Sequence, residues 1–173
     1  MKRKIPETIT ELELIDILKA EKKNCYKLTY LLGFYQAMRV SEVSKLQPGD
    51  INKGTHIIFI KAAKGDKDRQ IPIIKPLKLK PKTVLYSLKH LPIGKSDRSL
   101  QRNFKEMAKK VLGKDLHFHT LRHSGASWLL NKKKWDLKKV QQFLGHEDIQ
   151  TTQIYLHVSP QDLVDLEWGD EDL

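Results

Sequence analysis

The chain has 173 residues, a length that suits one compact domain better than two. It is 39% hydrophobic and 31% charged, with a mean hydropathy of −0.52, a balance typical of globular chains and not of fibrous or disordered ones. No apolar run approaches the roughly 18 residues that span a bilayer, and the basic start MKRKIP lacks the apolar core of a signal peptide. We therefore expect a cytoplasmic protein.

Positive charge dominates the body of the chain. The net charge is +11, and the last 12 residues carry six acids but no Lys or Arg, so all 32 basic residues fall in residues 1–161. An excess of this size attracts polyanions and favours salt-dependent binding to phosphates. Nucleic acid is the partner that this charge favours, with a solvated lysine-rich surface as the alternative.

The first third of the chain has a helical pattern. Thr10 is placed to cap a helix whose apolar residues recur near helical spacing up to Leu18. A second helix is predicted from about Asn24 to Gln36, and Ser41 is an N-cap candidate for a short third helix, SEVSKL. Arg39 then falls at a junction between two helices, where a side chain can point into a cleft.

The pattern changes to strands in the middle of the chain. HIIFI (56–60) and RQIPII (69–74) are rich in β-branched residues and flank the polar segment KGDKD, which predicts an antiparallel hairpin with Lys64 at or beside its turn. Helical spacing returns after Lys75, with an apolar stripe that stops at Gly113. Three more helices are predicted, over 119–130, 137–143 and 149–157. The expected fold class is α+β, mostly helical, with one small antiparallel sheet.

Three short segments place residues suited to phosphate chemistry. In HTLRH, His119 and Arg122 lie three apart, so a helix presents an imidazole and a permanent cation on one face. In FLGHEDIQTTQIYLHV, His146 follows a glycine and Tyr155 comes nine residues later. Taken alone, Arg39 is more often explained as an exposed helix-end cation that pairs with Glu42, and it is the context of the other residues that favours a catalytic role.

Together these residues resemble the pattern of the tyrosine recombinase and phage integrase family, which includes Xer-like, archaeal and viral members. That pattern is an arginine, a lysine in a hairpin, His-x-x-Arg, Gly-His and a tyrosine. The resemblance runs from about residue 6 to residue 158 and implies the family's mostly helical catalytic fold. The matching residues are Arg39, Lys64, His119, Arg122, His146 and Tyr155.

The resemblance implies site-specific cleavage and rejoining of double-stranded DNA through a covalent 3′-phosphotyrosyl intermediate. Tyr155 is the expected nucleophile, with His119 as the family's candidate to take its proton and Lys64 to protonate the departing 5′-oxygen. Arg39 and Arg122 are expected to stabilise the negative charge that gathers on the non-bridging phosphate oxygens in the transition state. His146 is expected to donate a hydrogen bond to the phosphate. The covalent link conserves the phosphoester bond energy, so neither ATP nor a metal is expected.

Further basic residues are candidates for DNA binding. The segment from Lys75 to Lys110 holds 11 basic residues against two acids, which indicates either a DNA-facing surface or a solvated helix. Arg69 is expected either to contact a backbone phosphate or to close the hairpin, and a neighbouring hairpin lysine could replace Lys64 in its role. The DNA-binding candidates are Lys61, Lys67, Arg69, Arg98 and Arg102.

No metal site or cofactor is expected. Cys25 is the only cysteine, so a cysteine-based zinc site cannot form. Of the neighbouring histidines, His119 and His123 share a helix face, but no carboxylate or cysteine completes a site with them.

The family resemblance also sets expectations for domains and assembly. Relatives usually carry an N-terminal core-binding domain, and this chain begins where their catalytic domain begins. We therefore expect residues 1–173 to form a single catalytic domain without the core-binding domain, with 1–9 as a linker remnant and 159–173 as an acidic tail. Tail residues around Leu163 could dock in cis or in trans. A tetramer is expected on DNA, with a monomer possible without it, in the nucleoid or, for a viral protein, in the host cytoplasm. The alternatives are a type IB topoisomerase-like activity and a non-catalytic DNA-binding or regulatory fragment.

Overall fold

The computed structural model describes residues 6–61 and 68–145. Within these ranges the helices are α1 (Glu11–Ala20), α2 (Asn24–Tyr35), α3 (Val40–Lys45), α4 (Thr83–Ser87), α5 (Asp97–Leu112), α6 (Phe118–Asn131) and α7 (Leu137–Leu144). The strands are β1 (Ile51–Asn52), β2 (Ile57–Ile60) and β3 (Arg69–Pro72), and 3₁₀ turns cover Pro48–Asp50 and Leu88–His90. The expected mostly helical α+β fold is confirmed, while the helix expected at 149–157 lies outside the described residues. None of the described helices could span a membrane.

Local capping residues explain the start of α1 and the end of α5. Thr10 caps α1 as expected: its hydroxyl accepts from the N–H of Glu13 at 3.2 Å, and its own N–H donates to the Glu13 carboxylate at 2.7 Å. α5 ends at Gly113, whose φ of +67° is the left-handed conformation that glycine adopts without strain. The prediction of Ser41 as the N-cap of α3 is wrong, because α3 begins at Val40 with Arg39 as its N-cap.

The sheet is small and antiparallel, with strand order β1-β2-β3. The hairpin of β2 and β3 is confirmed, with Ile58 opposite Ile71 and both side chains buried. β1 was not predicted, because its two residues are too few to show an alternating pattern. The hairpin turn itself, residues 62–67, lies outside the described residues.

Helices α2 and α6 approach each other until their backbones nearly touch. A Cβ atom added at Gly125 on α6 would lie 1.9 Å from the carbonyl oxygen of Phe34 on α2. A Cβ at Gly33 would lie 3.0 Å from the Leu121 side chain. Since α2 leads to Arg39 and α6 carries His119 and Arg122, this contact sets the distance between Arg39 and those two residues.

Gly125→Ala is expected to destabilise the protein by more than the roughly 1–3 kcal/mol typical of overpacking, because the clash is with backbone and no side chain can move aside. Gly49→Ala is the matched control, since nothing lies within 4 Å of its added Cβ. Urea unfolding of both variants measures the difference. Equal midpoints for the two variants would show that α2 and α6 can separate at little cost.

Candidate active site

Arg39 sits at the start of α3 with its side chain partly exposed. The Glu42 carboxylate accepts a hydrogen bond from the backbone N–H of Arg39 at 2.8 Å and one from its Nη1 at 3.3 Å. The first bond satisfies an N–H at the helix start, and the second fixes the direction of the guanidinium. The Arg39 side chain keeps 30% of its surface exposed, so the pairing with Glu42 does not withdraw it from solvent.

Arg122 is buried, with 1% of its surface exposed. Its Nη1 donates to the carbonyl of Ala37 at 2.6 Å, and its Nη2 donates to the carbonyl of Leu144 at 2.9 Å. Ala37 has a left-handed φ of +47° in the turn between α2 and α3. The guanidinium of Arg122 therefore links the turn before Arg39 to the last residue of α7.

His119 and Arg39 line the same cleft, which has a volume of about 400 Å³. Ser41, Gln101 and His117 also line it. Burial, followed by the positive charges of Arg122 and Arg39, holds the pKa of His119 below the 6.5 of an unperturbed imidazole. The lowered pKa favours the neutral form of His119, which is the form able to accept a proton. The structure thus brings together three of the residues that the sequence pattern selected.

We expect Arg39→Gln to raise the pKa of His119, because one of the two cations that oppose its protonation is removed. An NMR titration of the imidazole resonances measures this change. Lys19→Gln removes the same charge from an exposed position on α1 and is the matched control. An unchanged His119 pKa in Arg39→Gln would show that Arg39 does not act on this imidazole.

The lowered pKa also gives stability a pH dependence of known sign. Below pH 6.5 the unfolded chain protonates His119 more readily than the folded protein does, so this histidine favours folding above that pH and less as the pH falls through its folded-state pKa.

Glu42, which the sequence offered as a partner for Arg39, lies at the centre of an ionic cluster that also includes Arg69. Its side chain is 4% exposed and pairs with Arg69 at 2.6 Å as well as with Arg39. Burial favours a higher pKa for Glu42, but the hydrogen bond and charge of Arg69 and the N–H of Arg39 hold the pKa below its usual value. Its position was readable from the sequence: with Arg39 as N-cap, Glu42 falls at the third helical position, where capping carboxylates occur.

The other candidate residues divide between exposed positions and undescribed ones. Lys61 is 66% exposed in its side chain and pairs with Asp50 at 2.9 Å. Arg98 and Arg102 are exposed on α5, the helix whose Gln101 lines the cleft. The DNA contacts expected of these residues remain predictions. Candidates outside the described residues are Lys64, Lys67, His146 and Tyr155.

The chain belongs to the phage integrase family, whose model matches residues 7–162. A tyrosine recombinase of Thermosipho africanus is 34% identical over 95% of this chain and 62% of its own length. The crystal structure of XerA recombinase superposes with a TM-score of 0.77 at 24% identity, over 94% of this chain and 64% of that one. A lambda integrase dimer bound to a COC′ core site gives a TM-score of 0.70 at 22% identity, over 89% of this chain and 49% of that one. The chain thus spans less than two thirds of these relatives.

Proposed function

We propose that this chain is the catalytic domain of a tyrosine recombinase that cuts and rejoins double-stranded DNA at specific sites. The observation that carries the proposal is the cluster at the cleft: Arg39 and His119 line it, and Arg122 is buried close enough to His119 to lower its pKa. Membership of the phage integrase family supports the same chemistry. Lys64, His146 and Tyr155 follow in the family's order along the sequence.

The proposed reaction is a transesterification. The Tyr155 oxygen attacks the phosphorus, the bond from phosphorus to the 5′-oxygen breaks, and the 3′-phosphate stays on the tyrosine. His119 accepts the phenolic proton, and Lys64 gives a proton to the departing 5′-oxygen. The guanidiniums of Arg39 and Arg122 stabilise the charge that develops on the phosphate, and His146 donates a hydrogen bond to it.

The proposal extends to the assembly and its surroundings. Lambda integrase was solved as a dimer bound to a core site, which supports DNA binding and self-association by this chain. We propose a tetramer on DNA, with residues 1–173 as one catalytic domain that works in the cytoplasm or on the nucleoid. Lys61, Lys67, Arg98 and Arg102 are the proposed contacts to the DNA backbone.

The test uses a pool of random-sequence duplexes with a nick near the centre of one strand. Cleavage close to the nick releases a short piece of DNA, so rejoining fails and the covalent complex accumulates. The expected result is a protein–DNA adduct stable to denaturant, enriched in one DNA sequence, with the modified peptide containing Tyr155. If no adduct forms, the chain is a non-catalytic binding or regulatory fragment and the proposal is overturned.

The same experiment separates recombinase from topoisomerase chemistry. A type IB topoisomerase-like enzyme would form adducts with little sequence preference and would relax supercoiled plasmid of any sequence. Enrichment of one sequence supports site-specific recombination, and an unenriched pool together with relaxation supports the alternative.

A further inference from the structure

Arg69 connects two elements that both border the proposed catalytic cluster. Its Nη1 and Nη2 donate to the two carboxylate oxygens of Glu42 at 2.6 and 3.1 Å. Its Nε donates to the backbone carbonyl of Phe143 at 3.2 Å. One side chain from β3 therefore joins the first turn of α3 to the last turn of α7.

The end of α7 is held by arginines from two different elements. The carbonyl of Phe143 accepts from Arg69, and that of Leu144 accepts from Arg122. The last carbonyls of a helix lack intrahelical partners and carry its negative dipole end, so guanidiniums are suited to bind them. Gly145 follows with a φ of +72°, and a Cβ there would lie 2.9 Å from the Cδ of Arg69. Arg69 is thus packed against the turn from which the chain continues to His146.

The forked pairing of Arg69 with a buried carboxylate, more than its burial alone, favours an internal role over a direct contact with DNA. Its side chain is 10% exposed, and that of its partner Glu42 is 4% exposed. A forked pair of this kind satisfies both charges, and breaking a buried pair leaves an uncompensated charge that is costly. Moving the guanidinium of Arg69 to a phosphate would incur that cost and would also release α7.

We propose that Arg69 is a positioning residue of the strand-cleavage site, which ties the helix start that carries Arg39 to the helix end that precedes His146. The inference rests on the proposed function, in which Arg39 and His146 act on the same phosphate and Arg69 keeps the two aligned. It replaces the phosphate contact that the sequence suggested as one option for this residue.

Two substitutions distinguish the effect of the hydrogen-bonding geometry of Arg69 from the effect of its positive charge. Arg69→Gln removes both, whereas Arg69→Lys keeps the charge but cannot donate at once to Glu42 and to the Phe143 carbonyl in the planar arrangement of a guanidinium. Lys19→Gln, on the exposed side of α1, is the charge-matched control. Urea unfolding identifies conditions in which each variant is folded, and all rates are measured there.

The decisive readout is the rate of adduct formation at saturating duplex, compared with duplex affinity. Both Arg69 variants are expected to form the adduct roughly 10- to 100-fold more slowly, because small displacements of reacting groups carry penalties of that order. Their affinity should change little, and the slope of log affinity against log salt should stay that of the unsubstituted chain. If Arg69 contacted a phosphate, Arg69→Gln would instead reduce the magnitude of this slope by about 0.9 and would leave the rate of adduct formation in the bound complex unchanged. That outcome, or a normal rate in Arg69→Lys, overturns the proposal.

Hydrogen exchange tests the anchoring without any catalysis. Arg69→Gln is expected to speed the exchange of amides in the last turn of α7, where Gly145 donates to Gln142 at 3.1 Å, and to leave the centre of α6 unchanged. Unchanged exchange in α7 overturns the anchoring. Absence of adduct with the unsubstituted chain overturns the proposed function, so the two failures are distinguishable.

Discussion

Tyr155→Phe is expected to abolish the covalent protein–DNA adduct while leaving duplex affinity unchanged. Phenylalanine has the same ring but no oxygen to attack the phosphorus, so the proposed intermediate cannot form, whereas the basic residues proposed to hold the phosphate are all retained. Denaturing gel electrophoresis with an end-labelled nicked duplex measures the adduct, and a gel-shift titration measures affinity.

Tyr86→Phe is the matched control for that substitution. Tyr86 lies on α4 with 65% of its surface exposed, and loss of its hydroxyl should change neither measurement. Adduct formation by Tyr155→Phe at the normal rate would mean that another residue is the nucleophile, and the assignment of Tyr155 would be wrong.

Arg122→Lys is expected to slow adduct formation at saturating duplex by roughly 10²- to 10³-fold, the usual effect of removing one preorganised donor from a transition-state site. Lysine keeps the charge, but its ammonium cannot reproduce the forked contact with the carbonyls of Ala37 and Leu144. A carbonyl left unpaired in this buried position also costs about 1–3 kcal/mol of stability. Quenched-flow sampling of the adduct gives the rate, and urea unfolding gives the stability.

Lys19→Arg, which exchanges the same two side-chain types at an exposed position on α1, is the control for Arg122→Lys, since a surface substitution of this kind is expected to have little effect. A rate for Arg122→Lys within a few fold of normal would show that charge alone is required at this position, and the preorganised fork would lose its catalytic role.

The sequence predicted those parts of the fold whose signals are local. The helix cap at Thr10, the apolar stripe of α5 and the β-branched strands each depend on neighbours a few residues apart, and each was confirmed. The start of α3 was mispredicted for a local reason as well. Serine is the commoner cap, but the Glu42 carboxylate binds the N–H of Arg39 and moves the helix start to Val40.

The hydrogen bonds of Arg69 and Arg122 to distant carbonyls could not be predicted from the sequence, because they join residues far apart along it. The pairing of Arg39 with Glu42, three residues apart, was in contrast one of the interpretations that the sequence offered. Arg69 and Phe143 are 74 positions apart, and Arg122 and Ala37 are 85 apart. The family pattern selected Arg39, His119 and Arg122, which the structure places near one another, but it does not specify which acceptors hold the two guanidiniums. Burial of Arg122 and the pairing of Arg69 with Glu42 depend on how distant elements pack together. The periodicity of apolar residues along the sequence does not specify that packing.

The backbone contact between Gly125 and Phe34 also has a consequence for the binding of the proposed DNA substrate. Side-chain packing can adjust by changing rotamers, but two main chains in contact cannot, so the separation of α2 and α6 is fixed once both helices have formed. Arg122 reaches across this contact to the turn that precedes Arg39. The two guanidiniums therefore occupy their places before a substrate arrives, and the protein need not spend association energy on bringing like charges together.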